Sequence, residues 1–248
     1  MDTLFGAIQC RIRDDEWGSV LDAGTGEHSL QWLFSNRDKT TRIVAVTGDE
    51  AYAEKLIAKF QSKMRPQDRI IAGNWTSQEL LKGETFDIVV VDYLIGALDG
   101  FSPYYQDQII PRLIKTLGPH GQLHIVGMEP PPSFGATKEE ELILEIFQAR
   151  DACILLAGHR CYREYPLKWV LRQVKNNGLE IFFSASFTIK YTPSALERQL
   201  DVARRKLTLF SDASVARSME AYLDKLSRKA ASCSQILFGA DYVVSCHI

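Results

Sequence analysis

The segment VLDAGTGEHSL, Val20 to Leu30, holds an acid, two glycines and small residues at a spacing suited to ligand chemistry. It reads as a strand, a turn containing Gly24 and Gly26, and a helix start. Glycines let this turn bend tightly and let a ligand approach the helix amino terminus with no side chain in between. Ser29 takes the third small position of Gly-x-Gly-x-x-Gly, where helix must pack closely on strand. Such turns also occur where nothing binds. Asp22 narrows the chemistry: its carboxylate would repel a pyrophosphate and attract an ammonium. The frame of Asp22, Ala23, Gly24, Thr25 and Gly26 thus favours a cationic ligand end.

Proton transfer at neutral pH points first to histidine. Of the five, His124 and His247 fall inside expected strands, and His120 enters one at the end away from the ligand. His28 and His159 remain as candidate bases, against the plainer reading of surface or helix-end residues. Asp92 ends a strand at the ligand edge and is, with Tyr93, a further catalytic candidate. The segment DYLIGALDGFSPYYQDQ, Asp92 to Gln108, is read as a loop carrying Tyr93, Phe101, Tyr104 and Tyr105. With Tyr162 these aromatics either line an acceptor pocket or pack locally onto the core.

Short β-branched runs alternate with helix-period segments, as a parallel sheet with crossover helices requires. Strands are expected to end at Ala23, Thr47, Gly73, Asp92 and Gly127, with two more near Leu179 to Phe187 and Asp241 to His247. Helices are expected over Glu50 to Met64, Gln106 to Leu117 and Leu167 to Asn176. Gly118-Pro119 would close the second, with Pro111 in its first turn or at a kink. Two longer stretches suggest cap insertions, at about 130–166 and 194–231. The first holds an amphipathic helix from Lys138 to Leu156, the second two helices broken near Ser211-Asp212. The fold class is α/β: a Rossmann-like, doubly wound, mostly parallel seven-stranded sheet in one domain over 1–248.

The chain of 248 residues is 46% hydrophobic and carries 29 Lys and Arg against 31 Asp and Glu, a formal net charge of −2. Its charges are mixed, which argues against a polyanion-binding surface, although Arg198 to Lys206 gathers bases on a helix. The five cysteines form no Cys-x-x-Cys pair and no zinc spacing, so no metal is expected and a reducing compartment is. No signal-peptide core and no run of about 20 apolar residues occurs. A cytoplasmic protein is expected, with no membrane or nucleic-acid partner and with a homodimer compatible.

The order of motifs resembles the class I S-adenosylmethionine-dependent methyltransferase family. Asp22-x-Gly24-x-Gly26 is similar to its first motif. GDE (Gly48 to Glu50) follows the second strand, GNW (Gly73 to Trp75) follows the third, and FDIVVVDY (Phe86 to Tyr93) forms the fourth with its terminal acid. LIKTLGPHGQLHIVG, Leu113 to Gly127, is similar to the family's helix, proline-glycine turn and fifth strand. The resemblance implies that Asp22 to Gly26 hold the methionine end of the cofactor and that Asp49 or Glu50 binds the ribose hydroxyls. Asn74 would reach the adenine amino group with Trp75 beside the ring, and Asp92 would border the site. The chain departs from the family at His28, where a third glycine is common, and at Thr47, where the ribose acid usually stands. Asp49 and Glu50 read equally well as helix-start acids.

The function implied is methylation of a small molecule at oxygen or nitrogen, with S-adenosylmethionine converted to S-adenosylhomocysteine. Two alternatives stay open. An aminopropyltransferase of the spermidine synthase type would use Asp92 and Asp99 for a polyamine. A non-catalytic binding module would use the helices of Ser194 to Ala231 as its interface.

Overall fold

The computed structural model describes residues 3–12 and 15–248. In chain order its elements are α1 (Thr3–Gln9), β1 (Gly18–Asp22), α2 (Glu27–Ser35), β2 (Thr40–Thr47), α3 (Glu50–Phe60), β3 (Arg69–Ala72) and β4 (Phe86–Asp92). There follow α4 (Leu94–Phe101), α5 (Gln106–Ile114), β5 (Leu117–Met128), α6 (Lys138–Leu156), α7 (Leu167–Asn176), β6 (Glu180–Tyr191), α8 (Pro193–Leu207), α9 (Ala213–Ala231) and β7 (Ile236–His247). The chain divides into two compact units. The first comprises the chain up to Glu129, Tyr162–Phe187 and Asp241–Ile248; the second comprises Pro130–Cys161 and Thr188–Ala240.

The seven strands form one sheet in the order β3-β2-β1-β4-β5-β7-β6. Neighbours from β3 to β5 are parallel, and β7 runs antiparallel to β5. Strand order reverses between β1 and β4, and in open α/β sheets a ligand binds at the carboxyl ends of strands flanking such a switch. The sequence places its candidate residues there, after Asp22 and Asp92.

Side-chain alternation along these strands divides the core in two. Val20, Ile43, Ala45, Ile88 and Val90 join Phe5 of α1, Leu30 of α2 and Leu56 of α3. Leu21, Val44, Val46, Val89 and Val91 join Leu98 of α4, Ile110 of α5 and Val170 of α7. Both sheet faces are therefore covered, which is why the central strands are apolar at nearly every position.

In the second unit, Leu142, Ile143 and Ile146 of α6 are buried with Leu196 and Leu200 of α8 and Leu223 and Leu226 of α9. Helices α8 and α9 both pack on α6. That is why α6 is buried on several sides rather than along one amphipathic stripe. Thr137, Thr192 and Asp212 cap α6, α8 and α9 through their side-chain oxygens.

Two expectations need correction. The segment after Asp92 is helical from Leu94 rather than a loop. Helix α5 ends at Ile114, and Gly118 and Pro119 belong to β5, whose Leu117 pairs with Phe86. Of the two places expected for Pro111, the first turn is not the one it takes: it lies in the interior of α5. No helix among the described residues is long and apolar enough to cross a membrane.

Candidate functional site

The turn after β1 is held by hydrogen bonds that leave one carboxylate oxygen over. Asp22 is fully buried, and its Oδ2 accepts from Thr25 Oγ1 at 2.6 Å. Its Oδ1 has no hydrogen-bond partner among the described residues. Burial pushes the Asp22 carboxyl up to about 6, offset only in part by the nearby donors of Thr25, Ser29 and Gly24. An unpartnered buried carboxylate oxygen is costly, and an incoming ammonium would supply the missing donor.

The two glycines of the turn differ in their surroundings. Gly24 is packed against the start of α4, whereas a β-carbon at Gly26 would meet only the Tyr52 hydroxyl, at 4.0 Å. Ser29 closes the turn, accepting from Gly26 N–H at 3.0 Å and donating to Gly26 O at 3.2 Å. Tyr52 accepts from Glu27 N–H at 3.2 Å, so a side chain of α3 reaches the amino end of α2. Sequence reasoning missed Tyr52, because nothing in a helical tyrosine signals a contact made across the sheet edge.

At the β2 turn Asp49 is the α3 cap: its Oδ1 accepts from Tyr52 N–H at 2.8 Å. Glu50 is an exposed first-turn residue of that helix. After β3, Asn74 uses both ends of its amide. Its Nδ2 donates to Phe101 O at 3.2 Å, and its Oδ1 accepts from Thr76 and from Ser102 Oγ at 2.6 Å. Asn74 thus ties the end of α4 to the β3 turn. Trp75, expected beside a ligand ring, is instead a core residue at 4% exposure, and its Nε1 donates to Ala23 O at 2.9 Å. That hydrogen bond makes it a brace for the first turn.

Beyond Asp92, Tyr93 has φ +50, a left-handed conformation that a non-glycine residue adopts at a cost. This sharp turn takes the chain from β4 directly into α4. Burial, the charge of Asp241 and a hydrogen bond to it, and the charges of Asp92 and Glu164 push the Tyr93 phenol well above its ordinary value. These surroundings favour the protonated phenol. Glu164 and Asp241 were not singled out from sequence, since each is distant in the chain from every motif.

The remaining candidates scatter. Tyr104 is 84% exposed, and Tyr105 is half-buried against the core beside the start of α5. Phe101 and Tyr162 pair at 6.3 Å between ring centroids. His28 is exposed on α2 with its ring edge-on to Phe5 at 5.3 Å. His159 belongs to the second unit, where its Nδ1 lies 2.8 Å from Lys206 Nζ. His124 is fully buried with Nδ1 2.8 Å from Ser245 Oγ, and burial lowers its pKa to about 3. Among the described residues no three side chains gather into a metal-binding group.

No family model matches this sequence, and a search of curated proteins finds no match. Solved structures do match over nearly the whole chain. One is a protein of Bacillus halodurans C-125 with a provisional methyltransferase designation, at TM-score 0.63 and 14% identity, covering 98% of this chain and 97% of that one. A second is an S-adenosylmethionine-dependent methyltransferase from Thiobacillus denitrificans in complex with S-adenosylhomocysteine, at TM-score 0.55 and 12% identity, covering 100% and 91%. A third is coclaurine N-methyltransferase bound to N-methylheliamine and S-adenosylhomocysteine, at TM-score 0.58 and 13% identity, covering 98% and 71%.

Proposed function

We propose that this chain, which carries the seven-stranded fold of the S-adenosylmethionine-dependent methyltransferases, binds that cofactor at the β1–β4 crevice and methylates a small molecule at oxygen or nitrogen. The observation that carries the proposal is the buried Asp22 carboxylate with one oxygen unpartnered, under a turn where a β-carbon at Gly26 would meet only the Tyr52 hydroxyl, at 4.0 Å. An amino-acid ammonium satisfies that oxygen, while a dinucleotide's pyrophosphate would be repelled by it. Asp49 or Glu50, at the next turn, would take the ribose hydroxyls, and the Asn74 turn after the third strand would take the adenine.

The cofactor supplies a methyl group on a positively charged sulfur, so the protein need not activate a leaving group. What the chain must do is hold the acceptor in line and exclude water, which can account for much of the acceleration. Tyr93, protonated and bonded to Asp241, offers a fixed donor at the edge of β4. His28 would take the acceptor's proton. The mixed charge of the chain, −2 overall, favours a small acceptor over a nucleic acid. The five unpaired cysteines suit a reducing, cytoplasmic setting.

Titration calorimetry tests the proposal. Heat is expected with S-adenosylmethionine and S-adenosylhomocysteine, and none with NAD; preference for NAD would sink the assignment. A screen of metabolite pools for the mass gain of one methyl group then identifies the acceptor.

A further inference from the structure

Where the chain re-enters the first unit, residues 162–167 form a strap fastened along α4. Arg163 N–H donates to Gly96 O at 3.2 Å, Tyr242 OH donates to Tyr165 O at 2.7 Å, and Leu167 N–H donates to Glu129 Oε1 at 3.0 Å. The strap's alternate side chains rest on two glycines. A β-carbon at Gly96 would lie 2.6 Å from Glu164 Oε2, and one at Gly100 would lie 2.8 Å from Tyr162 Cε1. Residues two apart in extended chain span about 6.6 Å, and residues four apart in a helix rise about 6 Å. The strap and the glycine track of α4 therefore match in repeat.

This docking fixes where Tyr162 goes. Its ring meets Phe101, and the Phe101 ring in turn lies on Gly48, where a β-carbon would come within 2.7 Å of Phe101 Cδ1. The Tyr162 phenol is pushed up by burial first and then by Asp49 and Tyr52. Its surroundings thus belong to the β2 turn, the outer part of the crevice, and not to the β4 end at Asp92 and Tyr93. Both rings keep surface for a ligand, Phe101 being 41% and Tyr162 54% exposed.

We infer that Tyr162 contacts the adenosine of the cofactor, delivered by the strap from outside the glycine turn, and that Gly96 and Gly100 let the strap lie close enough to deliver it. The inference rests on the cofactor reading above and reassigns Tyr162 from the acceptor to the cofactor. The chemistry is stacking: a purine ring accepts an aromatic neighbour face to face or edge on, and truncating such a neighbour typically costs about 10- to 100-fold in affinity.

Calorimetry with S-adenosylhomocysteine and with 5′-methylthioadenosine, which keeps the adenosine and lacks the amino acid, reads this directly. Tyr162→Ala should weaken both ligands by the same factor, about 10- to 100-fold. Tyr162→Phe should bind within a few-fold of wild type, and Gly100→Ala, which displaces the ring, should resemble Tyr162→Ala. If Tyr162→Ala does not fold, Tyr162→Leu keeps the bulk without a ring and carries the same comparison. Wild-type binding that these substitutions leave unchanged, or that they tighten because the ring was blocking the pocket, overturns this inference alone. A wild type that binds neither ligand overturns the proposed function and this inference with it.

Discussion

Leu94 packs against the backbone of Gly24 so closely that a β-carbon at position 24 would lie 2.8 Å from Leu94 Cβ and 3.0 Å from Asp92 O. Gly24 thus joins the turn after β1 to the start of α4, while a β-carbon at Gly26, two residues on, would meet only the Tyr52 hydroxyl at 4.0 Å. The two glycines should fail in different ways. Gly24→Ala should cost about 1–3 kcal/mol of stability through overpacking. Gly26 has φ −129, extended backbone that any residue adopts, so Gly26→Val should melt near wild type yet lose S-adenosylhomocysteine binding. Thermal melts paired with calorimetry separate the outcomes. A Gly26→Val protein that still binds would remove the turn from the cofactor site.

Cofactor affinity should depend on pH through Asp22. With its carboxyl raised to about 6, the group is mostly neutral at pH 5 and mostly ionised at pH 7, and only the ionised form attracts an ammonium. Affinity for S-adenosylhomocysteine should rise about tenfold between those values. Asp22→Asn should bind more weakly at pH 7 and show no such rise. A wild-type affinity that is flat across this range would mean that Asp22 stays away from the ligand.

Turnover separates a base from a binding residue. If the acceptor is a hydroxyl or a protonated amine, His28→Ala should lower turnover by about 10²- to 10⁴-fold and change cofactor affinity by less than about 1 kcal/mol. His28 stands in the first turn of α2 beside Gly26. Unchanged turnover in that variant would leave catalysis to positioning, with Asp92→Asn and Tyr93→Phe the next variants to assay.

The central sheet was legible in the sequence because β1, β2 and β4 are buried on both faces and read as apolar runs ending in Asp22, Thr47 and Asp92. Helix α4 was not legible. Its residues LIGALDGF hold two glycines that sequence reasoning counts against a helix, and only the strap lying on them explains why they are there. The site divides along the same line. Asp22, Gly24 and Gly26 announce themselves by spacing within one segment. Tyr52 and Glu164 act through contacts with residues 25 and 68 positions away respectively, and no local pattern encodes these. Trp75 shows the opposite failure: a residue adjacent to a motif was read as part of the ligand shell, although a buried indole that can donate to Ala23 O has sufficient reason to be in the core.

Two buried groups should pull stability in opposite directions with pH. Asp22 has a folded value of about 6 against 3.8, so its contribution to stability is fully present below about 3.8 and is lost as pH rises through 6. His124 has a folded value of about 3 against 6.5, so its contribution is present above about 6.5 and is lost as pH falls toward 3. Between pH 4 and 6 the two slopes oppose one another, each at most about 1.4 kcal/mol per pH unit. Their sum should be nearly flat in the wild type. Asp22→Asn should unmask the histidine, so that stability relative to wild type falls on acidification from pH 6 to 4, by about 2 kcal/mol. His124→Gln, which keeps a polar partner for Ser245, should do the reverse: relative stability should rise over the same interval, and the double variant should return to a flat difference. Urea unfolding at half-unit pH steps measures all four proteins. Parallel profiles for wild type and Asp22→Asn would show that the carboxyl titrates at an ordinary value in the folded protein, and the buried, unpartnered oxygen on which the cofactor assignment rests would then have to be satisfied from within the fold.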